Sequence, residues 1–280
     1  MSRIWVVPKN DGEAVEIARL LRDRGERVLV TRQPWGATWV GLEETVRREL
    51  EGCQASGGGQ EPSDLRALGA RGRVGDPAAG CHPAPQVYGV ELAGPNGYGA
   101  VDVDHHYYQG DDRRSKLSSL EQVAGLLGVE LTRRQRLVAA NDRGWIPAML
   151  SEVDGVSEVE IESVRAQDRE AQGLTAVDRA RAERDLAAAE WRGERVLVRC
   201  PDGGTSWHSD LLFGKAAEWL LEGPENWSYS GARVAAFVGL AMPEPHWAGA
   251  GYFGVARPGA GSRVAVERCF WGVGLSVMVG

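Results

Sequence analysis

Asp104, His105 and His106 stand together directly after the short strand-like run Gly99-Ala100-Val101-Asp102-Val103, and a further carboxylate, Asp142, follows downstream. Imidazole and carboxylate are ligands for divalent cations, with Mn expected first here and Mg or Zn as alternatives. Such a cation cancels charge on a phosphoryl oxygen and lowers the pKa of bound water, both of which phosphoester hydrolysis at neutral pH requires. Successive residues of an extended segment point in different directions. One imidazole is therefore expected to ligate while the other faces substrate and donates to the leaving oxygen. The triplet alone is equally compatible with a structural or solvated role, so its placement in the chain decides its weight.

That placement follows from the surrounding periodicity. Ile4-Trp5-Val6-Val7 reads as a buried strand. Glu13 to Arg24 carries Ala14, Ile17, Ala18 and Leu21 at helical spacing, and Arg27 to Thr31 reads as a second strand. Strand, helix, strand predicts an α/β fold with a parallel sheet, in which ligands gather at the carboxyl ends of strands. Asn10-Asp11-Gly12 falls at such an end, although Asp11 also suits an ordinary helix cap. A helix is expected over 42–50, then a Gly-, Ala-, Pro- and Ser-rich surface insertion over 54–86. Val87 to Leu92 resumes as a strand that includes Glu91, for which a solvent-facing position is the plain alternative. Helices are expected from Ser118 to Gly128 and from Thr132 to Ala140, the second releasing into Asn141-Asp142-Arg143-Gly144.

The spacing predicts three units: an N-terminal α/β domain over 1–156, a solvated, charged helical connector over 157–192, and a smaller C-terminal α+β domain over 193–280. In the last, strands are expected at 195–200, 233–238, 252–256 and 263–266, and a helix at 211–221. A formal charge of −7 argues against a surface that tracks long duplex nucleic acid, and favours a small phosphorylated substrate or a short oligonucleotide. Cys53, Cys81, Cys200 and Cys269 form no CxxC pair, and Cys53, Cys81 and His82 match no zinc tetrad. With no leader-like start and no long apolar run, a cytoplasmic protein without a membrane span is expected, homo-oligomerisation remaining open. The Gly-rich loops ending at His208 and beginning at His246 could cradle phosphate, although both histidines read more simply as structural. Ten tryptophans, many of them C-terminal, are core residues by default and base-stacking surfaces as the alternative.

The run Val101 to His106, followed by Leu120-Glu121-Gln122-Val123-Ala124 and Asp142, resembles the DHH phosphoesterases. That group includes single-strand exonucleases, short-oligonucleotide and cyclic-dinucleotide hydrolases, and family II inorganic pyrophosphatases. The resemblance spans residues 1 to about 150. It implies a metal-carrying α/β domain, a smaller substrate-binding domain and an active site in the cleft between them. It would make His105 a metal ligand, His106 a phosphate contact and leaving-group acid, and Asp104 the buried partner that orients the cluster. Asp142 would be the later carboxylate ligand, Asp11 the second aspartate of the opening motif, and Glu91 a stand-in for the bridging aspartate. That opening motif begins with a His and another Asp at alternate positions, where this chain has Val7 and Lys9. Lys9 is expected to meet substrate phosphate instead, joined from the C-terminal domain by His246 and Arg257, with Arg233 also beside a strand. Three outcomes follow: a one-metal hydrolase, a site rebuilt from other residues, or a catalytically inactive nucleotide-binding or regulatory protein. The expected function is a metal-dependent phosphohydrolase using metal-activated water on a small phosphoester, nucleotide or short oligonucleotide.

Overall fold

Ile4, Trp5, Val6 and Val7 are all buried, the pattern of a strand covered on both faces. They form β1 (Arg3–Pro8), followed by α1 (Gly12–Asp23), β2 (Arg27–Thr31), α2 (Glu44–Gly57), β3 (Gln86–Val90) and β4 (Val101–Val103). The computed structural model describes residues 3–34, 36–57, 85–108, 111–112, 117–244, 246–248 and 251–272; most of the expected insertion over 54–86 lies outside the described residues. The four strands pair in the order β2-β1-β3-β4, all parallel, so their carboxyl ends share one edge. Asp11, Glu91 and Asp104 emerge along that edge.

Helices pack on both faces of the sheet. α3 (Ser119–Leu127) starts at a capping box made by Ser118 and Glu121, and α4 (Arg133–Glu152) starts at one made by Thr132 and Gln135. Trp5, Val7, Ile17, Leu21, Leu120 and Met149 pack together on one side, while Ile4, Val6, Trp39 and Leu50 fill the other. Between α3 and the sheet the chain makes two short strands, β5 (Tyr107–Tyr108) and β6 (Asp111–Asp112), which join the C-terminal sheet rather than the N-terminal one. The catalytic-looking triplet therefore sits where the chain crosses from one sheet to the other.

α5 (Glu158–Ala171) and α6 (Ala176–Ala187) lead into β7 (Glu190–Arg192), β8 (Arg195–Arg199), α7 (Ser206–Leu212), β9 (Glu218–Glu222) and β10 (Asn226–Ser230). α8 (Val234–Val238), β11 (His246–Ala248), β12 (Tyr252–Ala256) and α9 (Ala260–Trp271) complete the described chain. The second sheet is mixed, in the order β6-β5-β11-β12-β10-β9-β8-β7, with β8 and β9 parallel. Three sequence expectations change here. The helix expected at 211–221 ends at Leu212, and Glu218–Glu222 is instead an inner strand. The runs at 233–238 and 263–266 are helical, because Val234 pairs with Phe237, and Val266 with Cys269 and Phe270, at spacings of three and four that a short apolar run does not distinguish from a strand. β10 is a further strand that the expectations lack, although Ser228 and Ser230 alternate with the inward Trp227 and Tyr229 in the two-residue period of a strand. Among the described residues no helix is long and apolar enough to cross a membrane.

Gly89 sets how closely β3 and its neighbours pack, since a Cβ there would lie 2.1 Å from Trp39. Trp39 also donates to Asp102 beside the site, at 3.3 Å. Gly89→Ala is expected to lower stability by about 1–3 kcal/mol. Urea unfolding checks this, and an unshifted midpoint would contradict it.

Candidate metal centre

The triplet leaves β4 into a turn closed by its own first side chain. Asp104 Oδ1 accepts from the His106 backbone N–H at 2.9 Å and meets His106 Nδ1 at 3.0 Å. Both imidazoles are thereby turned to the same side, with ring centroids 4.4 Å apart, because strand alternation no longer applies within the turn. The expectation that they face different ways is corrected. Donor atoms of Glu91, His105, His106 and Asp142 lie within 4.8 Å of one another. His105 Nε2 is 2.5 Å from Asp142 Oδ2, 3.7 Å from Glu91 Oε1 and 4.0 Å from Glu13 Oε2.

Glu13 was not foreseen. An acidic residue in the first turn of a helix reads as a favourable partner of the helix dipole, and one oxygen of Glu13 does accept from the first turn of α3, at Leu120 N. Its other oxygen faces His105. Val7 is fully buried in the core and Lys9 is exposed on the cleft wall, so the acidic partner of Asp11 lies downstream at Glu13 rather than upstream at position 9. The only sequence signal would have been the Asp11-Gly12-Glu13 alternation at a strand end.

The group fits a cation. Glu91 Oε1 is buried without a hydrogen-bond donor, and Glu13, whose Oε2 also lacks one, lies within hydrogen-bonding reach of the Asp142 carboxyl, costly states for carboxylates unless a cation or a shared proton meets them. Glu91 reaches this position through a left-handed backbone, φ +50°, which is strained for a residue with a side chain. Burial, together with the charges of Glu91 and Asp142, pushes the Asp11 carboxyl well above its usual range. Burial, Asp142 and Glu91 do the same to Glu13. Glu91 is raised by burial and by Asp142. Burial would also raise Asp142, but the charge of and hydrogen bond to His105 outweigh it and hold Asp142 low. For His106, burial works downward, but the Asp104 hydrogen bond and the fields of Glu91, Asp104 and Asp142 raise its pKa to about 10.

The cluster borders a cleft of about 1120 Å³ between the two sheets, whose lining includes Lys9, Asn10, Asp11, Asp142, Trp145 and Tyr252. Asp11 spends one oxygen on the cap of α1, accepting from Ala14 N at 2.8 Å. Tyr252, on β12, brings its ring centroid to 6.4 Å from that of His106. His246 is buried, its Nδ1 3.1 Å from the Glu244 carbonyl. Arg257 is exposed and pairs with Glu225; neither residue is part of the cleft lining. Arg233 bonds Glu218 at 2.9 Å.

The charged connector is only partly solvated, which corrects the reading of a plain solvated face. Arg165, Asp168 and Arg169 of α5 are buried. Arg165 donates to Asn141 at 3.0 Å, Asp168 at 2.7 Å and Asp210 at 2.9 Å, while Asp168 accepts from Gly12 N at 2.9 Å. Asp210 of α7 also accepts from Trp145 Nε1, at 3.0 Å, where α4 breaks. One guanidinium thus joins the neighbours of Asp11 and Asp142 to the C-terminal half.

No protein-family model matches the sequence, and no curated protein does. Among solved structures, the pGpG-specific phosphodiesterase PggH from Vibrio cholerae is similar at 9% identity and TM-score 0.37, over 96% of this chain and 97% of that one. RecJ from Thermus thermophilus, in complex with Mn2+, is similar at 13% identity and TM-score 0.43, over 96% of this chain and 51% of its own. An exonuclease RecJ bound to manganese is similar at 14% identity and TM-score 0.36, over 96% and 89% respectively. These structural neighbours are DHH-family phosphoesterases. At such identities and TM-scores, what this chain can do has to come from its own residues.

Asp11, Glu13 and Glu91 hold protons more tightly in the folded chain than in the unfolded one. The folded state therefore binds more protons above the ordinary glutamate value of 4.5, and without a cation its stability falls as pH rises through and beyond that value. In EDTA the urea midpoint is expected to drop between about pH 5 and pH 8. Glu13→Gln should flatten this drop, and saturating Mn2+ should remove most of it. A midpoint insensitive to both pH and Mn2+ would contradict the electrostatic picture.

Proposed function

We propose that this chain is a divalent-metal-dependent phosphohydrolase, with Mn2+ as its cation, acting on a small phosphoester, nucleotide or short oligonucleotide. The observation that carries this reading is the convergence of Glu13, Glu91, His105, His106 and Asp142 on one spot beside the cleft. Glu91, His105 and Asp142 would hold the cation, with Glu13 and Asp11 near enough to complete its oxygen-rich surroundings; hard oxygens mixed with imidazole suit Mn2+. When bound, the cation would neutralise a phosphoryl oxygen and lower the pKa of its water.

The chain's own residues supply the rest. Asp104 anchors His106 through Nδ1, and His106 would supply the proton to a leaving oxygen. Lys9 and Arg32 line the cleft and would meet substrate phosphate as point charge and fork. Trp145, Phe213 and Tyr252 also line it, and would give a nucleobase aromatic surface to stack on. The volume is ample for a mononucleotide and sufficient for a short oligonucleotide, since small-molecule sites typically occupy about 300–1,000 Å³. Unpaired thiols at Cys53, Cys200 and Cys269 suit a reducing, cytoplasmic setting.

Turnover of a 5′-phosphorylated dinucleotide, a mononucleotide and inorganic pyrophosphate with Mn2+ tests the proposal. His105→Ala and Asp142→Ala should each lose activity by at least ~100-fold, and His106→Asn should lower kcat by about 10²–10⁴-fold. Unchanged turnover in both His105→Ala and Asp142→Ala would overturn it.

A further inference from the structure

We infer that Asp185, Cys200 and His208 form a second metal site, taking a single zinc ion that clips connector helix α6 to the C-terminal sheet. The three residues come from the last turn of α6, the position just after β8, and α7. Their donor atoms lie within 4.8 Å of one another. Cys200 and His208 are almost fully buried, and the Asp185 side chain is 17% exposed.

The histidine carries the argument. Both its ring nitrogens face oxygens: Nδ1 is 3.2 Å from the Gly204 carbonyl and Nε2 is 2.9 Å from Asp185 Oδ2. A neutral imidazole has one N–H to give, and a carbonyl only accepts. With Nδ1–H committed to Gly204, the Nε2 lone pair points at a carboxylate oxygen, with a thiol alongside. A second ring proton would also satisfy the Asp185 contact, and Cys200 would then serve only as buried packing. Among the described residues its sulfur hydrogen-bonds only to the Val198 carbonyl, at 3.8 Å, within the apolar group of Val196, Val198, Leu212, Trp219 and Leu221. A cation uses all three donors. A carbonyl on the far nitrogen is also the usual support of a metal-bound histidine.

Charge and donor type select the ion. One thiolate and one carboxylate balance a divalent cation, so the buried unit is neutral; the thiol proton leaves to solvent as the ion enters. Sulfur, imidazole and carboxylate together are the mixed set that zinc takes at about 2.0–2.3 Å, which places its ligands roughly 3–4 Å apart. The present separations need only small side-chain shifts to reach that. The exposed edge of Asp185 leaves room for water as a fourth ligand. This site shares no residue with the Glu91, His105, His106 and Asp142 group, which contains no sulfur.

Cobalt(II) titration of the full-length, EDTA-stripped protein tests the site, because only a thiolate ligand produces an intense near-ultraviolet charge-transfer band. Wild type should develop this band to saturation at one equivalent of thiolate-bound cobalt and lose it to zinc. Cys200→Ser should abolish it. Cys53→Ser and Cys269→Ser should retain it, and His208→Asn should weaken cobalt binding by at least ~10-fold. The His105→Ala/Asp142→Ala double variant should keep the band, which separates this site from the phosphohydrolase reading. X-ray absorption of that double variant loaded with one equivalent of zinc, in which Cys200 is untouched, should show one sulfur neighbour. Absence of the band in folded wild type, its survival in Cys200→Ser, or a zinc spectrum without sulfur would overturn the inference.

Discussion

Glu13, Glu91, Asp104 and Asp142 crowd around two adjacent imidazoles at a place almost closed to water, and they cannot all keep their charge there without protons or a cation. That constraint organises the molecule. Two carboxylate oxygens are left without hydrogen-bond donors, one backbone is held in the left-handed region, and several carboxyls are driven upward in pKa. A fold optimised only for stability would replace such a group with apolar side chains of similar volume. Its retention at a cleft is what gives it functional meaning.

The fold supplies this crowding through topology. Parallel strands bring Asp11, Glu91 and Asp104 to one edge, while α1 adds Glu13 and α4 adds Asp142 from one face. The N-terminal carboxylates do double duty: Asp11 caps α1 and Glu13 caps α3, so the site and the helix starts constrain each other. α5 then ties the arrangement to the C-terminal half through Arg165, Asp168 and Asp210. β5 and β6 make a second tie by crossing into the other sheet directly after His106. Movement of one half against the other would therefore be felt at the candidate metal centre.

Much of the N-terminal half was legible in the sequence, because β1, α1, β2, α3 and the start of α4 carry long, clean periodicities and recognisable caps. The grouping of the triplet with Asp142 could be anticipated from the strand end and the broken helix. Glu13 could not, since its cap to α3 and its approach to His105 both depend on tertiary placement. Glu91 needed a backbone conformation that no residue type announces. In the C-terminal half, runs such as 233–238 and 263–266 are too short to separate the strand period from the helical one, whereas the alternation of Trp227 and Tyr229 with Ser228 and Ser230 did carry the strand period of β10. The burial of Arg165 and Asp168 was hidden for another reason: a charged helix announces solvation unless its partners, here on three other segments, are known.

One divalent cation would take the place of protons among these side chains. Diffraction from crystals soaked in Mn2+, recorded at the manganese absorption edge, tests it most directly. An anomalous peak is expected about 2.0–2.3 Å from His105 Nε2 and from carboxylate oxygens of Glu91 and Asp142. A saturated soak with no peak there, and with His105 still bonded to Asp142 alone, would contradict it.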